Sequence, residues 1–87
     1  MGWKVLEVQP TPNPNAVKFV LDGTVSSAPT SFLNAVQAEG HDLGSRLFAV
    51  NGVTSVLLLG DFVTVNKSSA ARWADITRKV EAVLAEV

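Results

Sequence analysis

Side chains able to do chemistry are few in this chain of 87 residues. It contains no cysteine, so it has no thiol nucleophile, no disulfide framework, no thiolate metal site and no protein-thiolate iron–sulfur cluster. His41 is the only histidine, and any Ser/His arrangement would have to use it. A positioned base also needs a nucleophile and an orienting group within reach. His41 lies instead between Gly40 and Asp42, where one predicted helix ends and the next begins, and it reads as a surface histidine. Glu39, His41 and Asp42 bring two carboxylates and an imidazole into a short span, donors that iron, manganese or zinc accept. They are the candidate metal ligands. The competing reading is a solvated helix junction in which Asp42 caps the following helix and Glu39 ends the preceding one. That reading is preferred, because a specific centre needs three or four converging ligands and outer support. Gly23, Gly40, Gly44, Gly52 and Gly60 are isolated, so no phosphate-cradling loop is present.

The other informative stretch is residues 9–15, QPTPNPN. Pro10, Pro12 and Pro14 fix their own φ angles and restrict Gln9, Thr11 and Asn13, which leaves six successive residues stiff and extended. The prolines delete N–H donors along one side, so that side cannot build a β-ladder. One reading is protection of a sheet edge against pairing with another chain. The other is a pre-ordered loop that presents Thr11, Asn13 and Asn15 to a partner at low entropic cost. Spacing alone supports both.

Positioning these residues requires a scaffold, and the pattern supplies one. Residues 3–8 are rich in strand formers and end at Pro10. Residues 16–21 alternate, with Val17, Phe19 and Leu21 on one face and Ala16, Lys18 and Val20 on the other. Asp22 and Gly23 break that strand, and residues 24–30 read as a loop. A short helix is predicted after Pro29, carrying Phe32, Leu33 and Val36 and ending at Gly40. Asp42 is placed to cap a second helix bearing Leu43, Leu47 and Phe48, closed by Asn51 and Gly52. Residues 53–59 and 62–66 are two apolar β-rich runs joined by Gly60 and Asp61, a pair suited to a type II′ hairpin turn. A last helix starts near Ser68 or Ser69, with Trp73, Ile76, Val80, Val83 and Val87 on one stripe. Asp75 and Lys79 are spaced as an i, i+4 ion pair on it. Trp73 is read as core packing in preference to a partner anchor, because the sheet needs a cover. The predicted fold is α+β, a two-layer sandwich with an antiparallel sheet and helices on one face, in the order ββααββα.

Composition narrows the class further. Residues 1–87 make one small domain. At 47% apolar and 17% charged it is too hydrophobic for a disordered tail. No apolar run is longer than that from Val56 to Leu59, far short of the ~20 residues of a transmembrane helix. A net charge of −1, scattered along the chain, lacks the basic excess that nucleic acid or an anionic membrane surface demands. Met1 to Val8 has no continuous apolar core, so no signal peptide is read there and the protein is expected in the cytosol. A domain of this size buries only about 60% of its unfolded surface. That leaves little stability for a strained active site, so the protein is read as non-enzymatic.

Residues 11–19 (TPNPNAVKF), 46–56 (RLFAVNGVTSV) and 60–67 (GDFVTVNK), together with Trp73, resemble the N-terminal domain of Nfu/NifU-type iron–sulfur scaffold proteins. The likeness runs over most of the chain. In that family the domain precedes a second one whose Cys-x-x-Cys pair holds the cluster in a dimer. No such pair occurs here, and the chain is similar to stand-alone bacterial copies of the N-terminal domain. It departs from the family at residues 57–59, where a phenylalanine is usual, and at Gly44 and Ser45, where a Pro-Leu pair is frequent. The resemblance implies an accessory or interaction module in iron–sulfur cluster assembly, acting by protein contact and with no cofactor of its own. Its implied partners are assembly or recipient proteins, above all a cysteine-bearing cluster carrier. Thr11, Asn13, Asn15, Lys18 and Asp61 are the expected recognition residues. Two alternatives stand beside it: an iron-binding protein using Glu39, His41 and Asp42, and a dimerising domain of unrelated role.

Overall fold

The computed structural model describes residues 2–86. Five strands and two helices follow in the order β1 (Val5–Pro10), β2 (Ala16–Leu21), β3 (Ser26–Phe32), α1 (Asp42–Phe48), β4 (Val53–Gly60), β5 (Phe62–Lys67) and α2 (Trp73–Glu86). All strand pairs are antiparallel, and the sheet order is β1-β2-β5-β4-β3. The register aligns inward side chains in rows across the three central strands. Phe19 faces Val63, which faces Leu58; Val17 faces Val65, which faces Val56. Leu43 and Leu47 of α1 and Ile76, Val80 and Leu84 of α2 close over these rows in one buried cluster. The two-residue alternation in β2 and β5 therefore buries one face under both helices, as expected for strands with a single covered side. Among the described residues no helix is long and apolar enough to cross a membrane.

The first predicted helix is a strand. Residues 26–32 form β3, and residues 33–40 are turns, so the order is βββαββα. Pro29 biases Ala28 to an extended backbone, and β3 then pairs with β4, with Ser31 opposite Leu57 and Phe32 opposite Val56. Phe32 enters the core, whereas Leu33 and Val36, the rest of the expected stripe, are 68% and 71% exposed. Two side-chain bonds and three-residue backbone turns, Ala38 N–H to the Ala35 carbonyl at 3.1 Å, Glu39 N–H to that of Val36 at 3.2 Å and His41 N–H to that of Ala38 at 3.0 Å, hold the segment in place of an α-helical ladder. The Gln37 carboxamide accepts from Leu33 N–H at 2.7 Å, and the Asn34 carboxamide accepts from Gln37 N–H at 2.9 Å. Both prolines within strands, Pro10 and Pro29, lie on the two edge strands, where the missing N–H costs no ladder bond.

Three smaller expectations are also corrected. His41, not Asp42, caps α1: its Nδ1 accepts from Gly44 N–H at 2.9 Å. Asp42 is the first helical residue and pairs with Arg46 at 3.0 Å. Helix α2 begins at Trp73, because residues 68–71 make a turn held by Ala71 N–H to the Ser68 carbonyl at 3.0 Å. Asp75 pairs with Arg78 at 3.7 Å and not with Lys79. The apolar stripe of α2 is Ile76, Val80 and Leu84, with Trp73 and Val83 packed at its margin; Val87 lies outside the described residues, as does Met1 of the N-terminal run.

Two glycines explain local geometry. Gly60 has φ +55° while Asp61, like every non-glycine described, has a negative φ. That combination fits the predicted type II′ turn and excludes type I′. Gly44 is buried where α1 crosses Phe32, and a Cβ there would stand 2.8 Å from the ring. At the far end of α2, Trp3 N–H donates to the Leu84 carbonyl at 2.8 Å, tying the start of the described chain to the last turn of the helix.

Candidate partner-binding site

The proline-spaced loop joins the end of β1 to the start of β2, and its own polar atoms shape it. The Thr11 hydroxyl oxygen lies 2.9 Å from the carbonyl oxygens of both Asn13 and Ala16, which share its one proton as acceptors, and it accepts from Asn13 N–H at 3.2 Å. The Asn13 side-chain oxygen accepts from Asn15 N–H at 2.9 Å, an Asx turn. Ala16 N–H closes the loop onto the Asn13 carbonyl at 3.0 Å. Thr11 and Asn13 thus spend their acceptors inside the loop.

Distant residues hold the loop to the body. Lys67 N–H donates to the Asn15 carbonyl at 2.8 Å, and the Lys67 ammonium donates to the Asn15 side-chain oxygen at 3.2 Å and to the Ser68 carbonyl at 3.3 Å. The same ammonium sits 5.6 Å from the centre of the Trp73 ring, close enough for a cation–π attraction. Trp73 Nε1–H donates to the Pro14 carbonyl at 3.0 Å. Trp73 is therefore half-buried, packed on the core on one side and latched to the loop on the other. The core reading captured only half of its role. An indole N–H at a packed site needs an acceptor, and that requirement was the available signal for the latch.

The loop keeps its outer side for solvent. Pro12, Asn13 and Pro14 are exposed. Among the described residues, no hydrogen bond uses the amide nitrogen of the Asn13 or Asn15 side chain. Asn13 thus presents two N–H donors from a backbone that cannot easily move.

The five expected recognition residues do not form one patch. Thr11, Asn13 and Asn15 lie together in the loop. Lys18, half-buried on the open face of β2, lays its ammonium 4.2 Å from the centre of the Phe62 ring. Asp61 is exposed in the β4–β5 turn, at the opposite end of β5 from Lys67 and about 20 Å away for a strand of that length. Its carbonyl serves the fold, accepting from Leu21 N–H at 2.7 Å.

The alternative metal ligands are likewise not assembled. Glu39 is exposed, the His41 ring packs against Phe32 with centroids 5.1 Å apart while its Nδ1 caps α1, and Asp42 is paired with Arg46. Among the described residues no three His, Cys, Asp or Glu side chains come together as a metal-holding group.

The loop, the β4–β5 hairpin and the Trp73 that joins them coincide with the segments that carry the family resemblance. The family model described as "Scaffold protein Nfu/NifU N terminal" matches residues 6–87. The chain belongs to the Nfu/NifU N-terminal family. Among curated relatives, the mitochondrial NFU1 iron-sulfur cluster scaffold homolog of Drosophila erecta is 36% identical over 81 residues, covering 91% of this chain and 29% of that protein. The conserved virulence factor C of Staphylococcus aureus (strain MRSA252) is 29% identical over 79 residues, covering 91% of this chain and 21% of its own length. This Nfu/NifU N-terminal chain therefore spans less than a third of either relative. Two solved structures share the fold. The crystal structure of SAV1430 from Staphylococcus aureus has a TM-score of 0.75 at 27% identity, covering 92% of this chain and 96% of that one. The NifU-like protein of Saccharomyces cerevisiae has a TM-score of 0.77 at 27% identity, with 90% and 72% covered.

Proposed function

We propose that this domain is a cytosolic, non-enzymatic module of iron–sulfur cluster assembly that acts by contact with a cysteine-bearing cluster carrier. Membership of the Nfu/NifU N-terminal family and relatives named as cluster scaffolds support the pathway. With no cysteine, the chain supplies no thiolate to cluster iron, so its contribution is recognition. The observation that carries the contact reading is the proline loop, whose backbone is latched by Trp73 and Lys67 while the Asn13 carboxamide donors point to solvent. A loop ordered before binding loses little entropy on docking.

The test is a titration of the isotope-labelled domain with a Cys-x-x-Cys carrier domain, followed by NMR. Amide shifts should centre on residues 11–16. Asn13→Asp keeps the oxygen that accepts from Asn15 N–H and removes the amide donors, so it should abolish those shifts without moving the melting temperature. Shifts confined to another surface, or full binding by Asn13→Asp, would defeat the reading.

A further inference from the structure

A cleft of about 300 Å³ opens beside the first turns of α2, lined by Asn51, Ala71, Arg72, Asp75, Ile76 and Lys79, with Ala70 at its edge. Arg72 immediately precedes α2, its carbonyl accepting from Ile76 N–H at 3.2 Å, and Lys79 lies in the helix about 10 Å further along the axis; both line the cleft. Buried Ile76 lies between them as the floor. The ion pairs among the described residues are Asp42 with Arg46 and Asp75 with Arg78, so neither Arg72 nor Lys79 is in a contact ion pair, and with Asp75 in the same lining the cleft carries two cations against one carboxylate. Both cations are exposed and face a concavity rather than a flat surface.

We propose that this cleft binds the carboxylate side chain of an acidic residue in a partner polypeptide. Two cations without a contact ion pair suit a carboxylate, and a guanidinium offers the planar pair of donors that a carboxylate accepts. The acceptors in the same wall narrow the ligand further. Asp75, only loosely engaged by Arg78 at 3.7 Å, and the Asn51 carboxamide oxygen can take N–H groups. A polypeptide carboxylate brings such N–H donors in its own backbone. Inorganic phosphate brings only its one or two P–OH protons and no N–H, and its larger charge would meet Asp75 without a backbone to compensate it. The cleft also stands beside the proline loop, since Trp73, the neighbour of Arg72, is the residue that binds the Pro14 carbonyl. It rests on the contact reading above only in taking the ligand to be a protein.

The experiment uses the whole chain, isotope-labelled, and three probes: the acetylated and amidated tripeptide Ala-Glu-Ala, its Ala-Gln-Ala counterpart, and inorganic phosphate. The glutamate peptide should shift the amides of Asn51, Ala71 and Arg72 in a saturable way, and the shifts should diminish as salt is raised, because exposed charges are screened. The glutamine peptide and phosphate should bind at least about tenfold more weakly, and the pair Arg72→Gln with Lys79→Gln should cost the glutamate peptide about tenfold in affinity at an unchanged melting temperature. Equal binding of the glutamine peptide, equal binding of phosphate, or no shift at these amides with the glutamate peptide would each overturn the proposal. Failure of the carrier titration at the loop with the tripeptide result intact would sink the functional reading and leave the cleft standing; the reverse pattern would do the opposite.

Discussion

Replacing Trp73 by phenylalanine separates the two jobs of this side chain. Phenylalanine keeps an apolar ring at the margin of the core and a face for the Lys67 ammonium, but it loses the 3.0 Å bond from Nε1–H to the Pro14 carbonyl. A single hydrogen bond is worth about 0.5–1.5 kcal/mol net. This one is exposed, so water can satisfy the freed carbonyl, and the lower half of that range applies. At roughly 4–8 °C per kcal/mol for a domain of this size, the melting temperature should fall by about 2–8 °C. Trp73→Ala also removes packing. Full truncation of a buried aromatic costs about 3–5 kcal/mol, and a half-buried one should cost about 2 kcal/mol. Amide exchange distinguishes the latch from general loosening. In Trp73→Phe the amides of Asn13, Asn15 and Ala16 should exchange faster while those of Val63 and Val65 hold their protection. Unchanged exchange in the loop, or loss of protection throughout the sheet, would refute the latch.

Other consequences can be checked on the same footing. His41→Asn should preserve the cap of α1, whereas His41→Ala, which removes the acceptor for Gly44 N–H, should cost about 0.5–2 kcal/mol in denaturant unfolding. Gly44→Ala should destabilise by about 1–3 kcal/mol, because the added methyl meets the Phe32 ring at 2.8 Å, and Phe32→Leu should recover part of that loss. Anaerobic reconstitution with iron and sulfide followed by desalting should leave the 87-residue chain without stoichiometric sulfide, since one histidine cannot replace the thiolates that cluster iron requires.

The parts of the fold legible in the sequence are those where local chemistry and final packing agree. Gly60 and Asp61 between two apolar runs specify their hairpin, because only a glycine takes the positive φ at the first turn position without strain. Strand β2 shows its alternation because Phe19 and Leu21 are buried while Lys18 and Val20 on the other face are only half-buried; Ala16, at the start of the strand, is buried too. Strand β3 is different. Its residues, SSAPTSF, are largely polar and carry a proline, and they become a strand because β4 offers an edge to pair with, a non-local cause. The stripe of Phe32, Leu33 and Val36 mimicked one helical face, but a single turn of periodicity carries little weight against that pairing. The restriction on Ala28 from Pro29 was the local hint. At the site, the stiffness of residues 9–15 was visible in the proline spacing. The bonds that latch the loop were not, since Trp73 is 59 positions from Pro14 and Lys67 is 52 from Asn15. Asp61 was grouped with the loop on resemblance, and the length of β5 keeps them apart.

The bond between Trp3 N–H and the Leu84 carbonyl has an architectural consequence. It places the two extremities of the described chain side by side, at the end of α2 remote from Trp73 and the loop, about 20 Å away for a helix of this length. Anything joined to either extremity leaves the domain about a helix length from the loop, so a tether there does not cover the loop's exposed side. Adjacent ends also make the unit easy to insert into a larger polypeptide, since its host sees an interruption only a few ångströms wide and need not be reshaped to span it.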